Sequence, residues 1–262
     1  MAAAQDSEAT DLSTRGSSTD TYADNAHFWV KIIREGLDPY RTELTDEQVL
    51  DAVGECSGLD VLDGGCGEGY MSRFLLERGA RVVGIDTSDS LIQAATTHSA
   101  AQSPNLTHYV ASLEDIPEES ARFDVAVCNH VLSDVADPQS ALREIGRVLR
   151  PGGRLVVLML HPCFYTAHAE RDAGGNIPVT TYFQERTINQ PFKVAGIESP
   201  AEVHMNFRPL EFYTRAIVSA GFVITNVSEP HPPMETLSTN PWWQKNFAKP
   251  LFLLIEAERR GR

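Results

Sequence analysis

Short apolar runs of strand length alternate with amphipathic helical patterns through the middle of this 262-residue chain. This alternation predicts βαβ units and a parallel sheet. A further helix and two late strands follow, and a chain of this length can bury one large core. The predicted strands cover 59–63, 81–86, 106–111, 123–129, 154–160, 222–227 and 250–258, and the main predicted helices cover 69–78, 88–99, 138–149 and 210–220.

The first predicted strand runs into a glycine-rich turn and then a helix, with the sequence VLDGGCGEGY over residues 61–70. Glycines in such a turn let the backbone approach a ligand, and the helix start offers free N–H groups. The dinucleotide pattern G-x-G-x-x-G fails because Tyr70 stands where its last glycine should be. Asp63 at the strand end would repel a pyrophosphate and suits a ligand with positive charge. Asp86, 19 residues after Gly67, has the spacing of a carboxylate that holds a ribose diol.

These two segments resemble the first two motifs of the class I S-adenosylmethionine-dependent methyltransferases. Residues 111–117, 123–129 and 142–153 resemble later motifs of that family in the same order, so the similarity covers about residues 55–160. Ser112 departs from the pattern, since many relatives carry an acid there, which leaves Leu113 and Glu114 as alternatives for adenine. S-adenosylmethionine is the implied cofactor, and the residues implied to bind it are Asp63, Gly64, Gly65, Cys66, Gly67, Asp86, Thr87, Ser88, Ser112, Leu113, Glu114 and Asn129.

The resemblance implies an α/β fold with a doubly wound, seven-stranded, mostly parallel sheet containing one antiparallel strand. The implied organisation is a disordered tail (1–20), an N-terminal helical cap (21–54), a cofactor-binding core (55–160), a substrate lid inserted after strand five (161–209) and the completion of the sheet (210–262). Residues 25–29 and 38–41 of the cap also resemble actinomycete natural-product methyltransferases, a group that includes teleocidin-type C-methyltransferases that trigger terpene cyclisation.

Several side chains outside the motifs are candidates for the site. His161 follows strand five, where ligands of such sheets bind, and we predict it as the base that removes a proton from the acceptor; a turn histidine is the alternative. Tyr22 and Arg41 are predicted cofactor contacts. The Tyr22 ring would stack on the sulfonium or on the acceptor, and Arg41 would pair with the methionyl carboxylate, with a solvated surface charge as the alternative. The predicted substrate contacts are Trp29, His130, Phe164, Tyr182 and His204, with core packing as the alternative for Trp29 and loop packing for His130.

Charge and composition limit the classes of molecule that this chain is expected to bind. The formal net charge is −14, and residues 1–60 hold 13 acids against 4 bases, which disfavours nucleic acid and anionic membranes. The chain has no signal-like start and no run long enough to span a bilayer, so we expect a cytoplasmic protein. Four cysteines without C-x-x-C spacing give no support for a metal site or disulfides. Trp242-Trp243 is interpreted as a packing or subunit contact, which leaves a homo-oligomer open.

The function expected from these observations is methyl transfer from S-adenosylmethionine to a small organic acceptor, in natural-product biosynthesis. The methylated atom is a carbon of an isoprenoid, an oxygen or a nitrogen. The alternatives are a macromolecular methyltransferase that acts on protein or RNA, and a non-catalytic relative that binds the cofactor.

Overall fold

The computed structural model describes residues 22–99, 103–164 and 182–261, so the predicted tail over 1–20 lies outside the described residues. Helices and strands alternate through the middle of the chain, as the sequence predicts. The helices are α1 (Ala26–Arg34), α2 (Asp46–Val53), α3 (Tyr70–Glu77), α4 (Asp89–Ser99), α5 (Pro138–Val148), α6 (Leu210–Ser219), α7 (Met234–Thr239) and α8 (Pro241–Asn246), with a π-helical turn at Arg41–Thr45. The strands are β1 (Asp60–Gly64), β2 (Arg81–Asp86), β3 (Leu106–Val110), β4 (Phe123–Asn129), β5 (Leu149–Leu160), β6 (Arg186–Gln190), β7 (Lys193–Val194), β8 (Ile197–Glu198), β9 (Val203–Phe207), β10 (Phe222–Ser228) and β11 (Phe252–Arg259).

Seven strands form the central sheet in the order β10-β11-β5-β4-β1-β2-β3. The five strands from β5 to β3 pair in parallel, while β11 runs antiparallel to both β5 and β10. The predicted sheet with one antiparallel strand is therefore confirmed. The strands that follow β1 in the chain are added first on one side of it (β2 and β3) and then on the other (β4 and β5). Open α/β sheets bind ligands in the crevice at such a switch point.

Helices cover both faces of the sheet, each over its own apolar cluster. On one face α5 and α6 contribute Leu142, Ile145 and Ile217 to a core that includes Phe123 and Leu155. The other face carries α2 and α3 over a separate cluster of buried side chains. Burial on both faces of the sheet explains the continuous apolar runs at 125–128 in β4 and 155–160 in β5.

Several local features differ from the sequence patterns. Strand β5 begins at Leu149, five residues before its predicted start at 154, because the residues between them form a bulge in the strand that pairs with β4. Thr45 stands at the N-cap position of α2, but its side chain makes no capping hydrogen bond. The proline-rich segment 230–241, for which no helix was predicted, contains α7 and the start of α8. The sequence also gave no signal for the small antiparallel pairs β6–β9 and β7–β8 in the predicted lid.

The N-terminal helix and the segment after β5 are joined to each other. Asn25 is buried; its side-chain nitrogen donates to the carbonyl of Ala201 at 3.1 Å, and its oxygen accepts from the Ala201 N–H at 3.0 Å. Trp29 packs edge-on against Phe192, with ring centroids 5.3 Å apart. The cap and the lid segment therefore form one wall over the carboxyl ends of the sheet strands.

None of the helices in the described ranges combines the length and the apolarity needed to cross a bilayer.

Candidate active site

A cavity of about 1440 Å³ opens at the carboxyl ends of the parallel strands. Its floor consists of the glycine turn after β1 and the ends of β2 and β4, and its opposite wall comes from the cap and from residues 190–205. The volume exceeds the roughly 300–1,000 Å³ of most small-molecule pockets. The cavity therefore has room for two ligands placed side by side.

The glycine turn has backbone angles that favour glycine and leave its cavity side open. Gly65 and Gly67 have φ angles of +72° and +56°. A Cβ atom on Gly65 would lie 2.4 Å from Val131, whereas one on Gly67 would meet nothing within 4 Å. The N–H groups of Gly65 and Cys66 both donate to the carbonyl of Ile85, at 2.8 and 2.9 Å, which fixes the turn against β2. The open side at Gly67 is a cradle that an added methyl group would fill.

Asp86, the last residue of β2, lies beside this cradle. Its carboxylate accepts hydrogen bonds from the N–H of Gly67 at 2.9 Å and from that of Ser88 at 2.8 Å. Burial raises the pKa of Asp86, and the backbone donors oppose that shift. A carboxylate has about four acceptor positions, so Asp86 can still accept from ligand hydroxyls.

Asp63 stands behind the turn rather than on the cavity wall. Its side chain is buried and accepts a 2.5 Å hydrogen bond from the Ser72 hydroxyl on α3. Burial raises the pKa of Asp63 to about 6. Asp63 therefore joins the glycine turn to the start of the following helix, and does not face a ligand directly.

A polar network closes the cap side of the cavity. Arg41 donates to the Tyr70 hydroxyl at 2.9 Å, Tyr70 donates to Asp46 at 2.8 Å, and the amide nitrogen of Asn129 donates to Tyr70 at 2.8 Å. The Oδ1 atom of Asn129 is buried and has no hydrogen-bond partner among the described residues. Since Arg41 and Asn129 both line the cavity, a cation and an unused acceptor are available there for a zwitterionic group.

Residues 111–114 line the side of the cavity beside the end of β3. The side chains of Ser112 and Glu114 already have partners in the local turn: Ser112 accepts from the Glu114 N–H at 3.1 Å, and Glu114 accepts from the Asp137 N–H at 2.9 Å. Leu113 is buried and apolar. This segment offers an apolar surface with a backbone edge, which suits a flat heterocycle.

Asp134, which the sequence analysis did not single out, also lines the cavity. It lies in the loop between β4 and α5, accepts a hydrogen bond from the Tyr22 hydroxyl, and accepts another from Ser133 at 3.2 Å. Burial raises the pKa of Asp134 to about 7. The available signal was its position five residues beyond the end of β4, in a loop at the ligand-binding edge of the sheet.

The cavity wall brings together most, but not all, of the predicted site residues. Six lie off the wall: Asp63, Gly64 and Ser88 among the predicted cofactor contacts, and His161, Tyr182 and His204 among the others. The predicted residues that line the cavity are Tyr22, Trp29, Arg41, Gly65, Cys66, Gly67, Asp86, Thr87, Ser112, Leu113, Glu114, Asn129, His130 and Phe164.

His161 is the largest departure from the expected site. Its ring is buried, with Nε2 3.0 Å from the Glu229 carboxylate and Nδ1 accepting from the Cys163 N–H at 3.1 Å. Leu160 lines the cavity, and the next residue along an extended chain points to the opposite side. The predicted role as base therefore receives no support from the geometry, because both ring nitrogens have partners away from the cavity.

Two other predicted acceptor contacts are also turned to structural partners. The Tyr182 hydroxyl accepts from the Leu210 N–H at 2.9 Å and lies 3.3 Å from the Cys163 sulfur. His204 on β9 pairs with Asn189 on β6. By contrast, His130 lines the cavity with a φ of +60° and packs its ring on Phe252, and burial holds its pKa well below the usual value.

Comparison with known proteins agrees with this geometry. Residues 62–157 match the family described as "Methyltransferase domain". The structure is similar to an S-adenosylmethionine-dependent methyltransferase from Mesorhizobium loti, with a TM-score of 0.67, 26% identity and coverage of 81% of this chain and 96% of that one. A Listeria monocytogenes protein assigned to the same class gives a TM-score of 0.69 at 26% identity, covering 82% of this chain and 96% of that one.

Residues 62–157 thus match a methyltransferase domain, and the fold around them is that of the class I methyltransferases. The family, the fold and the cofactor predicted from the sequence motifs are thereby confirmed. A relative named ubiquinone biosynthesis O-methyltransferase, from Coxiella burnetii, is 34% identical over 119 residues, which cover 45% of this chain and 49% of the relative. The chain thus spans about half the length of the curated relatives that it matches.

The cavity of the methyltransferase domain fits the family's cofactor. The floor of the cavity contains the open cradle at Gly67, the Asp86 carboxylate and the apolar side chain of Leu113. The unpartnered Asn129 oxygen and the Arg41 cation lie on the cap side. These groups match a ligand that carries a ribose, a heterocycle, an ammonium and a carboxylate. Within the described residues, no group of three or more His, Cys, Asp or Glu side chains is placed to hold a metal ion.

Proposed function

We propose that the chain transfers a methyl group from S-adenosylmethionine to a small, largely apolar acceptor. The observation that carries this proposal is one continuous cavity that is larger than a single ligand requires. Its floor has the residues that we assign to the cofactor, and one part of the remaining wall is aromatic and apolar. That wall contains Tyr22, Trp29, Phe164, Phe192 and Met205.

The cofactor contacts follow from the groups on the cavity floor. Asp86 accepts from the ribose hydroxyls, Leu113 packs on the adenine, and Arg41 pairs with the methionyl carboxylate. The unpartnered oxygen of Asn129 accepts from the methionyl ammonium. The bound cofactor supplies a methyl group activated by its sulfonium, so positioning and the exclusion of water by the cap and lid provide most of the catalysis.

A hydroxyl oxygen is the acceptor atom that we propose. The curated relatives that match the core are named O-methyltransferases. The buried Nε1–H of Trp29, which has no partner in the described part of the chain, is a donor for such an oxygen. Methylation of an isoprenoid carbon is the alternative, and the natural-product setting rests on the resemblance of the cap alone and stays a prediction.

The first experiment is calorimetric titration with S-adenosylhomocysteine. The wild-type chain should bind it, and Asp86→Asn should weaken binding at least tenfold, because hydrogen bonds to a charged group contribute about 1.5–3 kcal/mol each. Asp89→Asn is the matched control: Asp89 is exposed and three residues away, so its loss should leave affinity unchanged. Absence of binding by the folded wild-type chain would rule out the proposed function.

A panel of phenols, alcohols, amines and isoprenoid alcohols then defines the acceptor. Release of S-adenosylhomocysteine reports turnover, and mass spectrometry of the product locates the added methyl group. Methylation at carbon would replace the hydroxyl proposal with the isoprenoid alternative.

A further inference from the structure

Asp134 occupies a part of the cavity that the cofactor contacts do not use. It follows β4 in the loop that leads to α5, and the neighbouring backbone is tied to the lid because the Asn206 N–H on β9 donates to the Ser133 carbonyl at 2.9 Å. Its partner Tyr22 belongs to the N-terminal cap and stacks with Trp29 at a centroid distance of 6.4 Å. The carboxylate therefore stands where cap, lid and core meet.

The other acidic side chains on the buried cavity wall differ from Asp134 in their partners. Asp38 pairs with Arg41, Glu68 pairs with Arg34 and Arg73, and Asp86 and Glu114 accept from backbone N–H groups. Glu43 is exposed.

Asp134, by contrast, is hydrogen-bonded only to the neutral hydroxyls of Tyr22 and Ser133 among the described residues. A cation or fixed N–H donors would hold a carboxylate in its ionised form. Two hydroxyl partners can reorient when the carboxylate takes up a proton, so Asp134 is free to change its protonation state.

We propose that Asp134 is the catalytic residue that accepts the proton of the acceptor hydroxyl, and that Tyr22 is a positioning residue that orients its carboxylate. This inference rests on the proposed function. The acceptor oxygen forms a bond to the methyl carbon while the carbon–sulfur bond breaks and its electron pair stays on sulfur. The O–H electron pair remains on oxygen, and the proton moves to Asp134, which later releases it to water.

The surroundings of Asp134 favour this role at neutral pH. Burial, the largest effect, raises the pKa of its carboxyl to about 7; the Tyr22 and Ser133 hydrogen bonds lower it and the nearby Asp86 carboxylate raises it. From α6, Tyr213 also lies within electrostatic reach, and Arg41 acts on Tyr22. A general base is most effective when its pKa lies near the working pH.

The decisive experiment compares phenols that differ in acidity. The probes are 4-methylphenol and 4-hydroxybiphenyl, each beside its dinitro analogue with nitro groups at both positions ortho to the hydroxyl, which is almost fully ionised at neutral pH. Asp134→Asn should lower kcat/KM for the two weakly acidic phenols by about 10² to 10⁴. It should lower kcat/KM for the nitrophenols less than tenfold, because these need no base. Asp51→Asn, at an exposed aspartate of α2 that lies off the cavity wall, is the control and should change the rates less than threefold.

Two further readouts separate catalysis from folding and from cofactor binding. The affinity of Asp134→Asn for S-adenosylhomocysteine should stay within threefold of wild type. Tyr22→Phe should move the acidic limb of the pH profile to higher pH, since the lost hydrogen bond lowered the carboxyl pKa. In ¹³C-aspartate NMR spectra of the ligand-free chain, the resonance missing from Asp134→Asn should titrate near neutrality.

The outcomes distinguish the two proposals. Equal losses for acidic and weakly acidic phenols, or an unchanged pH profile in Tyr22→Phe, would overturn the role of Asp134. So would a wild-type chain that binds S-adenosylhomocysteine but methylates none of the phenols. A folded chain that does not bind S-adenosylhomocysteine would instead overturn the proposed function.

Discussion

Replacing Gly67 by alanine tests whether the open cradle is the place where the cofactor meets the backbone. Gly67 has a φ of +56°, where an L-residue costs about 1–2 kcal/mol of stability. The added Cβ meets no atom of the protein within 4 Å, so no further steric cost is expected in the ligand-free chain. In the complex, the same methyl group would occupy space beside Asp86 that the ligand needs. We therefore expect S-adenosylhomocysteine affinity to fall at least tenfold, which is about 1.4 kcal/mol.

Gly58→Ala is the matched control for this change. Gly58 has a φ of +72° and an equally open Cβ position, but it lies off the cavity wall. Urea denaturation should show a similar loss of stability for both variants, and calorimetry should show weaker binding only for Gly67→Ala. If the two variants bind S-adenosylhomocysteine equally well, the cradle is not part of the cofactor site. Gly65→Ala should be much less stable than either, because its Cβ would lie 2.4 Å from Val131.

Two further predictions concern residues behind the cavity wall. His161→Ala should lower the free energy of unfolding by about 1–3 kcal/mol, since it removes the hydrogen bonds to Glu229 and Cys163. Turnover per folded molecule should change less than threefold. A hundredfold drop in turnover would instead support His161 as the base. Asp63→Asn should remove part of the pH dependence of stability. The pKa of Asp63 is raised to about 6 in the folded state, so the wild type loses stability as pH rises from about 4 to 6, on the order of 3 kcal/mol from this group. Denaturation curves at pH 4.5 and 7.5 should show a smaller difference for the variant, and an equal difference would mean that Asp63 is not the group that titrates.

Much of the core could be predicted because its signals are local. Apolar runs that end in Asp or Asn gave the bounds of β2 and β4 as the structure has them, 81–86 and 123–129. The positive φ angles at Gly79 and Gly221 explain why helices end just before these residues. The part of the cavity that we assign to the cofactor was predictable for the same reason, since the residues that line it directly follow strand ends.

The features that the sequence did not predict also have physical causes. Two contacts stabilise the helix α8. The Asn240 side chain caps it by accepting from the Trp242 N–H, and Trp243 and Phe247 pack around Tyr40, which lies about 200 residues earlier in the sequence. Such distant contacts override the local turn signals of a proline-rich segment.

At His161 the structure differs from the expectation in the direction of the side chain, while the residue does follow β5 as predicted. Its N–H still donates to the Leu251 carbonyl at 2.8 Å, so the alternation of β5 continues through it and turns the ring away from the cavity.

The acceptor of the proposed methyl transfer has to be inferred from residues outside the part of the chain that matches the family. The family match covers residues 62–157, which hold the glycine turn, Asp86 and the end of β4. The apolar wall opposite comes from Tyr22 and Trp29 before that range and from Phe192 and Met205 after it. The family match therefore covers the residues that we assign to the cofactor, while the wall that we propose selects the acceptor comes from segments of the chain on either side of it. Exchanging Trp29 or Phe192 should accordingly change which acceptors are methylated and leave S-adenosylhomocysteine affinity nearly unaltered.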